Sequence, residues 1–128
     1  MSSRAVRTTF RGWAATLATP FYDTINLSVS PSDAIWSTAS FDSFSNQVMT
    51  FCRDMEEVGQ IELMYMAQPG VGDDAVLQAA EADIAALMAK TDATGKFVLT
   101  EYDPPADISF GEGNSYRVSV VFLYVFYH

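Results

Sequence analysis

The chain has 128 residues, with 16 acidic and 7 basic side chains and a formal charge of −9. Its length is typical of one domain with a sizeable core, and an apolar content of 49% excludes a disordered chain. The acidity excludes a protein that grips nucleic acid by its phosphates, since such binding needs clustered Lys and Arg. One Cys and one His provide neither an internal disulfide nor the ligands of a structural zinc site.

The distribution of apolar and charged residues indicates a soluble protein. No stretch reaches the roughly 18 to 20 uninterrupted apolar residues of a membrane span, and the first residues lack the apolar segment of a secretory signal. Arg4, Arg7 and Arg11 supply three of the seven cations and precede every acidic residue of the chain. We therefore expect a cytoplasmic product with no membrane association and an acidic body.

The first predicted element is a helix over residues 3–18, which ends before Pro20. Its apolar positions recur at helical spacing: Val6, Phe10, Trp13, Ala14 and Leu17. The three arginines are three and four residues apart, so they share roughly one side of this helix. Residues 20–33 form a predicted extended loop, and a short apolar alternation within it would pin part of the loop to a sheet edge.

Alternation of apolar and polar residues then predicts three strands. The first covers residues 35–41, and the polar residues 42–46 follow it as a turn or loop tip. The second strand covers residues 47–55, and residues 56–59 predict a hairpin turn before the third strand at residues 60–67.

The second half of the chain predicts one helix and two strands. The helix covers about residues 73–90 and begins with aspartates that suit a helix N-terminus. Its apolar stripe is Val76, Ala80, Ile84, Leu87 and Met88. Residues 96–102 form the next predicted strand, which two consecutive prolines end, and residues 115–127 form the last strand.

These elements, in the order α-β-β-β-α-β-β, predict an α+β fold. We expect a single domain over residues 1–128, with a mostly antiparallel sheet of about five strands flanked by two helices. The second half of the last strand is apolar on both faces, so this strand end is either central or covered by another subunit. Four residues of this segment are therefore candidates for a subunit interface: Val121, Leu123, Val125 and Tyr127.

The candidate catalytic and ligand sites are weak. The Gly-x-Gly turn at residues 70–72 lacks the third glycine and the Lys-Ser/Thr pair of a phosphate loop, and two aspartates follow it. Adjacent Glu56 and Glu57 favour a solvated turn over an acid–base pair, and the acidic residues of the second helix, Asp83 among them, favour a solvated face. Cys52 is typical of a small core residue. A Ser-His-Asp triad would have to use His128, and the sequence contains no nucleophile-elbow motif to supply the serine. We therefore expect no enzymatic activity, cofactor or metal.

Two further groups of residues are candidates for contacts with other proteins. The arginines Arg4, Arg7 and Arg11 offer a basic face to an acidic partner such as the body of a neighbouring copy, although a solvated face is the simpler interpretation. The central strands are rich in Met and Phe, which suits an adaptable contact surface, and Phe44 in its polar segment is a plausible protruding anchor.

The order of several segments carries a resemblance to a known family. Residues 59–73, GQIELMYMAQPGVGD, are a strand and a Gly-x-Gly turn that lead into the alanine-rich helix at residues 75–89. Residues 111–113, GEG, then precede the final strand with residues 116–122, YRVSVVF. With a first helix in the expected place, this order is similar to the tail terminator, or tail completion, proteins of long-tailed bacteriophages. The resemblance covers most of the chain, and residues 20–46 match nothing in the family.

The resemblance implies a structural virion protein, made in the host cytoplasm, that forms a six-fold ring at the head-proximal end of the tail tube. Such a ring stops tube polymerisation and joins the tail to the head. Its implied partners are further copies of the chain, the tail tube protein and the head–tail connector or neck proteins, with DNA only passing through the lumen. The family has no catalytic residues. The candidates for tube contact or for the lumen are Phe41, Asp42, Phe44, Glu56 and Glu57.

Two alternatives stay open. One is another neck or tail structural protein, either a head–tail connector or a tube subunit, of which the tube subunit would stack into open-ended polymers. The other is a small acidic binding domain, or an enzyme with a site shared between subunits. Stabilisation by a ligand would distinguish this last class, because a molecule that binds only the native state raises its melting temperature.

Overall fold

The computed structural model of the chain describes residues 4–22, 34–48, 55–68, 73–90, 92, 94–110 and 116–127. In this part of the chain, two helices and five strands follow one another in the order α-β-β-α-β-β-β. Their bounds are α1 Arg4–Ala14, β1 Ile35–Val48, β2 Met55–Ala67, α2 Asp73–Met88, β3 Phe97–Tyr102, β4 Ala106–Phe110 and β5 Tyr116–Tyr127. The predicted α+β class is confirmed.

The strands form one antiparallel sheet in the order β1-β2-β5-β3. β2 pairs with β5 along the whole length of β5, so β3 and β4 share the opposite edge of that strand. The sheet is therefore four strands wide, and β5 is a central strand. A central position pairs both edges of β5 but covers neither of its faces, so it does not by itself explain why the second half of the strand is apolar on both faces.

Two predicted turns are wrong, because both segments lie inside strands. Residues 42–46 continue β1, where Asp42 pairs with Gln60 and a bulge lies between Ser43 and Ser45. Residues 56–59, the predicted hairpin turn, belong to β2 and pair with β1 on one side and β5 on the other. Pairing between strands that are distant in sequence outweighs the local turn preference of these polar residues.

The remaining differences concern element order and boundaries. The described residues of the predicted second strand at 47–55 belong to two strands: residues 47–48 end β1, Met55 begins β2, and residues 49–54 lie outside the described part of the chain. β4 was missed, although the two prolines at 104–105 do end β3 as expected. α1 ends at Ala14, four residues earlier than predicted.

Both helices pack on one face of the sheet, called here the helix side. Most of the predicted apolar stripes are buried there: Val6, Phe10 and Ala14 from α1, and Val76, Ala80, Ile84 and Leu87 from α2. Trp13 and Met88, and Leu17 beyond the end of α1, are partly buried against this core. Alternate strand residues complete this core: Ile61, Leu63 and Tyr65 from β2, and Val118, Val120, Phe122, Tyr124 and Phe126 from β5. Aromatic contacts hold α1 in place, with Phe10 edge-on to Phe41 at 5.8 Å between ring centroids and Trp13 stacked on Phe97 at 5.1 Å.

Candidate assembly surface

Two carboxylates are buried on the helix side, each accepting a hydrogen bond from a tyrosine. The Tyr65 hydroxyl donates to Oδ2 of Asp83 at 2.7 Å, and the Tyr124 hydroxyl donates to Oε2 of Glu57 at 2.6 Å. Both carboxylates are only 2% exposed. The predictions of a solvated turn at Glu57 and a solvated helix face at Asp83 are therefore wrong. Strand pairing and helix packing place each carboxylate within reach of a buried tyrosine, and Glu57 lies in the core rather than on a contact surface.

The pair formed by Tyr65 and Asp83 joins β2 to α2. Burial raises the pKa of the Tyr65 phenol above its ordinary value, and the hydrogen bond to Asp83 and the charge of that carboxylate raise it further. The phenol therefore stays protonated and remains a donor at neutral pH. Because both groups are shielded from solvent, their arrangement suits a structural role rather than contact with a substrate.

The face of the sheet opposite the helices is called here the open side, since no helix or strand among the described residues packs on it. Alternate residues of three strands form an apolar strip on this side: Val58, Met64 and Met66 of β2, Val98 of β3, and Val121, Leu123 and Val125 of β5. On β2 the strip is interrupted by Gln60 and Glu62, which pair with Leu123 and Val121. Val98 is 43% exposed, and Tyr127, 41% exposed, extends the strip at the end of β5. The four residues predicted for a subunit interface thus lie side by side on the open side.

Charged and polar residues border the apolar strip. Four of them are carboxylates: Asp42 of β1, Glu56 and Glu62 of β2, and Glu101 of β3. Arg117 of β5 is a cation on the same side. Its Nε and the Oγ1 of Thr38 are buried and have no hydrogen-bond partner among the described residues. Buried polar atoms are normally satisfied, so these two atoms are exceptions.

The arginines of α1 lie beside the first strand of the sheet. The guanidinium groups of Arg7 and Arg11 stand over the Phe41 ring, 5.3 and 5.4 Å from its centroid. Phe41 lies in β1, the outermost strand on one side, within the predicted strand 35–41, and its ring faces the helices. Arg4 is exposed one helical turn before Arg7. We call this basic region, formed by the three arginines, the β1 edge.

The opposite edge of the sheet carries a hollow of about 400 Å³ between α2 and the connection from β3 to β4. Its lining is mostly apolar and includes one carboxylate: Glu81, Ile84, Ala85, Met88, Tyr102, Pro104 and Pro105. Tyr102 is 45% exposed, and its ring centroid lies 6.3 Å from that of Phe122. Asp103, between two lining residues, is also exposed. We call this feature the β3-edge hollow, and no pattern in the sequence had identified it.

The other predicted site residues divide into two groups. Asp42 is exposed and Glu56 is partly exposed, both in strands on the open side. The side chain of Phe44 lies outside the described residues, as do the Gly-x-Gly turn at residues 70–72, Cys52 and His128.

The described part of the chain shows neither a group of metal ligands nor a membrane-spanning helix. It contains no group of three or more His, Cys, Asp or Glu residues that could hold a metal ion. Neither of its helices is long and apolar enough to cross a membrane. No protein-family model matches the chain, and no curated protein matches it. The function must therefore be argued from its surfaces.

Proposed function

We propose that this chain is a structural virion protein that assembles into a closed ring at the head-proximal end of a long phage tail. The ring would end polymerisation of the tail tube and provide the surface on which the head docks. The observation that supports this proposal is the apolar strip on the open side of the sheet. Seven apolar side chains share that face, of which Val98 is exposed and the other six are partly buried, and no helix or strand among the described residues packs on them. Contiguous apolar patches on a protein surface are typical of protein interfaces.

The charge around the strip favours a ring over a two-fold dimer. Pairing of two open sides face to face would bring the carboxylates of both copies together, including Glu62 and Glu101, with Arg117 as a cation on each face. Like charges placed opposite each other weaken such an interface. Contact between the strip and a different patch of the next copy avoids this repulsion, and such head-to-tail contacts close into rings or continue as filaments.

The net charge of −9 agrees with a role in a DNA-conducting structure. A ring of such subunits has a negative potential that repels the phosphate backbone, so DNA would pass through the lumen without adhering. The absence of a recognisable catalytic constellation in the sequence fits a role in assembly rather than in chemistry.

The first test is the mass of the purified protein by light scattering, with electron microscopy of the same fractions. We expect closed rings, or monomers that form rings on tail tubes assembled from the tube protein of the same phage. Tubes assembled in its presence should be shorter and should carry a cap at one end. Open-ended polymers of this chain would instead assign it to the tube subunits, and a monomer that never joins a tube would refute the proposal.

A variant series tests the apolar strip itself. Leu123→Asp places a charge at the centre of the strip, and Tyr127→Asp places one at its exposed end, where the monomer fold is least affected. Both variants should lose ring assembly while keeping their circular dichroism spectra. Gln78→Asp is the control, because it adds the same charge to an exposed position of α2, on the other side of the sheet from the strip. Intact rings in both strip variants would contradict the proposed interface.

A further inference from the structure

We infer that the β3-edge hollow of one copy receives the Arg4 side chain from the β1 edge of the next copy. This inference rests on the proposed ring and specifies a second contact within it, separate from the apolar strip. It identifies the occupant of the hollow by its chemistry: an apolar stem that ends in a guanidinium group.

The hollow has the composition of a site for a long cationic side chain. Tyr102 and Met88 provide apolar walls for an aliphatic stem, and the exposed tyrosine ring can stack on a guanidinium. Glu81 lines the hollow and Asp103 is exposed beside it, so two carboxylates lie where the charged end would arrive. Arginine suits this arrangement because its planar guanidinium pairs with carboxylates through two parallel hydrogen bonds.

The β1 edge is the main basic surface of a strongly acidic chain. Three of its seven cations lie on α1, and no acidic residue precedes the end of that helix. Arg7 and Arg11 are held together over the Phe41 ring, so they concentrate positive potential at one place. Arg4, the exposed member of the group, extends beyond them by one turn. A neighbouring acidic edge is therefore attracted to this region rather than to the rest of the body.

The positions of the two edges explain why the contact requires a second copy. Arg7 and Arg11 stand over Phe41 of β1, whereas Trp13, near the other end of α1, stacks on Phe97 of β3. Arg4 begins α1, so it lies at the end of the helix away from the edge that carries the hollow. Each copy therefore carries the basic β1 edge on one side and, on the other, a mostly apolar hollow with two carboxylates at or beside it. Such contacts join copies head to tail in a single direction, and a fixed rotation between copies closes the chain of contacts into a ring.

A charge exchange between Arg4 and Glu81 tests the inference. We expect Arg4→Glu and Glu81→Arg, each alone, to raise the concentration needed for ring assembly by roughly tenfold or more, because each places like charges in contact. The variant that carries both changes should recover assembly. An equimolar mixture of the two single variants should also form rings, since alternating copies then make complementary contacts at every interface. The readout is the mass distribution by light scattering at several protein concentrations.

Matched controls separate the contact from the fold and from net charge. Arg4→Glu places a carboxylate in the first turn of α1, where the helix dipole favours it, so loss of assembly would not reflect a weakened helix. Lys96→Glu changes net charge by the same amount as Arg4→Glu, and Gln78→Arg adds a cation to an exposed position within α2. Both positions lie outside the hollow and the β1 edge, so both variants should assemble as the wild type does. Thermal melting of all variants at low protein concentration reports on the monomer fold.

Each outcome decides the inference. Single variants that assemble as their controls do would overturn it while the ring proposal stands. Single variants that fail to assemble without recovery in the double variant or in the mixture would also overturn it, since the two residues would not meet. Charge-dependent rings that never cap a tail tube would support the inference and refute the proposed function. A wild type that is monomeric at all concentrations, with or without tubes, would refute both.

Discussion

Removal of one hydroxyl group, in the variant Tyr65→Phe, should measure how strongly α2 is held to the sheet. Tyr65 is fully buried and donates to the nearly buried Asp83 carboxylate at 2.7 Å. The substitution keeps the ring and its packing but leaves the carboxylate without this donor. Hydrogen bonds to charged groups contribute about 1.5–3 kcal/mol, so we expect the free energy of unfolding to fall by about that amount. For a chain of this size, the melting temperature should fall by roughly 5–12 °C.

The assay is urea denaturation followed by circular dichroism, at several protein concentrations so that assembly does not contribute to the measured stability. Asp83→Ala and the double variant complete a thermodynamic cycle. In the Asp83→Ala background, Tyr65→Phe should cost much less, because no buried carboxylate then loses its donor. Tyr102→Phe is the matched control, since that ring is 45% exposed and its hydroxyl should contribute less than about 0.5 kcal/mol.

Equal costs of Tyr65→Phe in the two backgrounds would refute this reasoning, because the hydroxyl would then act through something other than Asp83. A loss no larger than that of Tyr102→Phe would show that the 2.7 Å hydrogen bond contributes nothing net to stability.

Three other predictions concern pH and the backbone. Burial raises the folded pKa of Tyr65 above its unfolded value near 10, so stability is complete below about pH 10 and falls as the pH rises further, with a shallower fall in Tyr65→Phe. Gly12→Ala in α1 should stabilise the chain by about 0.5–1 kcal/mol, because no atom lies within 4 Å of the added Cβ. Gly95→Ala should destabilise it by about 1–2 kcal/mol, because Gly95 has φ of +70°. Urea denaturation checks all three, and a shared sign for the two glycine variants would contradict the backbone argument.

Sequence periodicity predicted those parts of the fold whose burial follows one regular face. The 3.6-residue period of α2 identified Val76, Ala80, Ile84 and Leu87, which are all buried. The two-residue period of the last strand likewise separated the buried face of β5 from the open one. In both elements the packing partner covers a single face, so the pattern of apolar side chains along the chain records the side on which the core lies.

The same reasoning failed at residues 42–46 and at Glu57, where local chemistry and tertiary context disagree. Polar residues with turn preferences continue β1 because β2 pairs with them through the bulge at Ser43 and Ser45. Glu57 looks solvated next to Glu56, yet it faces the core and accepts the Tyr124 hydrogen bond from a residue 67 positions away. No short window of sequence contains the partner that compensates for such a burial.

The candidate surfaces show a similar division between local pattern and tertiary placement. The residues of the apolar strip that lie on β5 could be named from sequence, because two-sided apolar character is visible in one segment. The β3-edge hollow could not, since it joins Glu81 and Met88 of α2 to Tyr102 and the prolines after it. In the sequence, the two prolines at 104–105 indicated only where β3 ends. They did not indicate that α2 packs beside this end of the strand.

By itself, the sequence determined the α+β class, the faces of both helices and of β5, the acidic body, and the basic character of α1. Each of these follows from composition or from periodicity within one segment, which local side-chain chemistry controls. The tertiary structure alone decided that β5 is central, that Glu57 and Asp83 are buried, and that the arginines and the β3-edge hollow lie at opposite edges of one sheet. These properties depend on which distant segments pair, and the pairing is set by the free energy of the whole core rather than by any one stretch of chain.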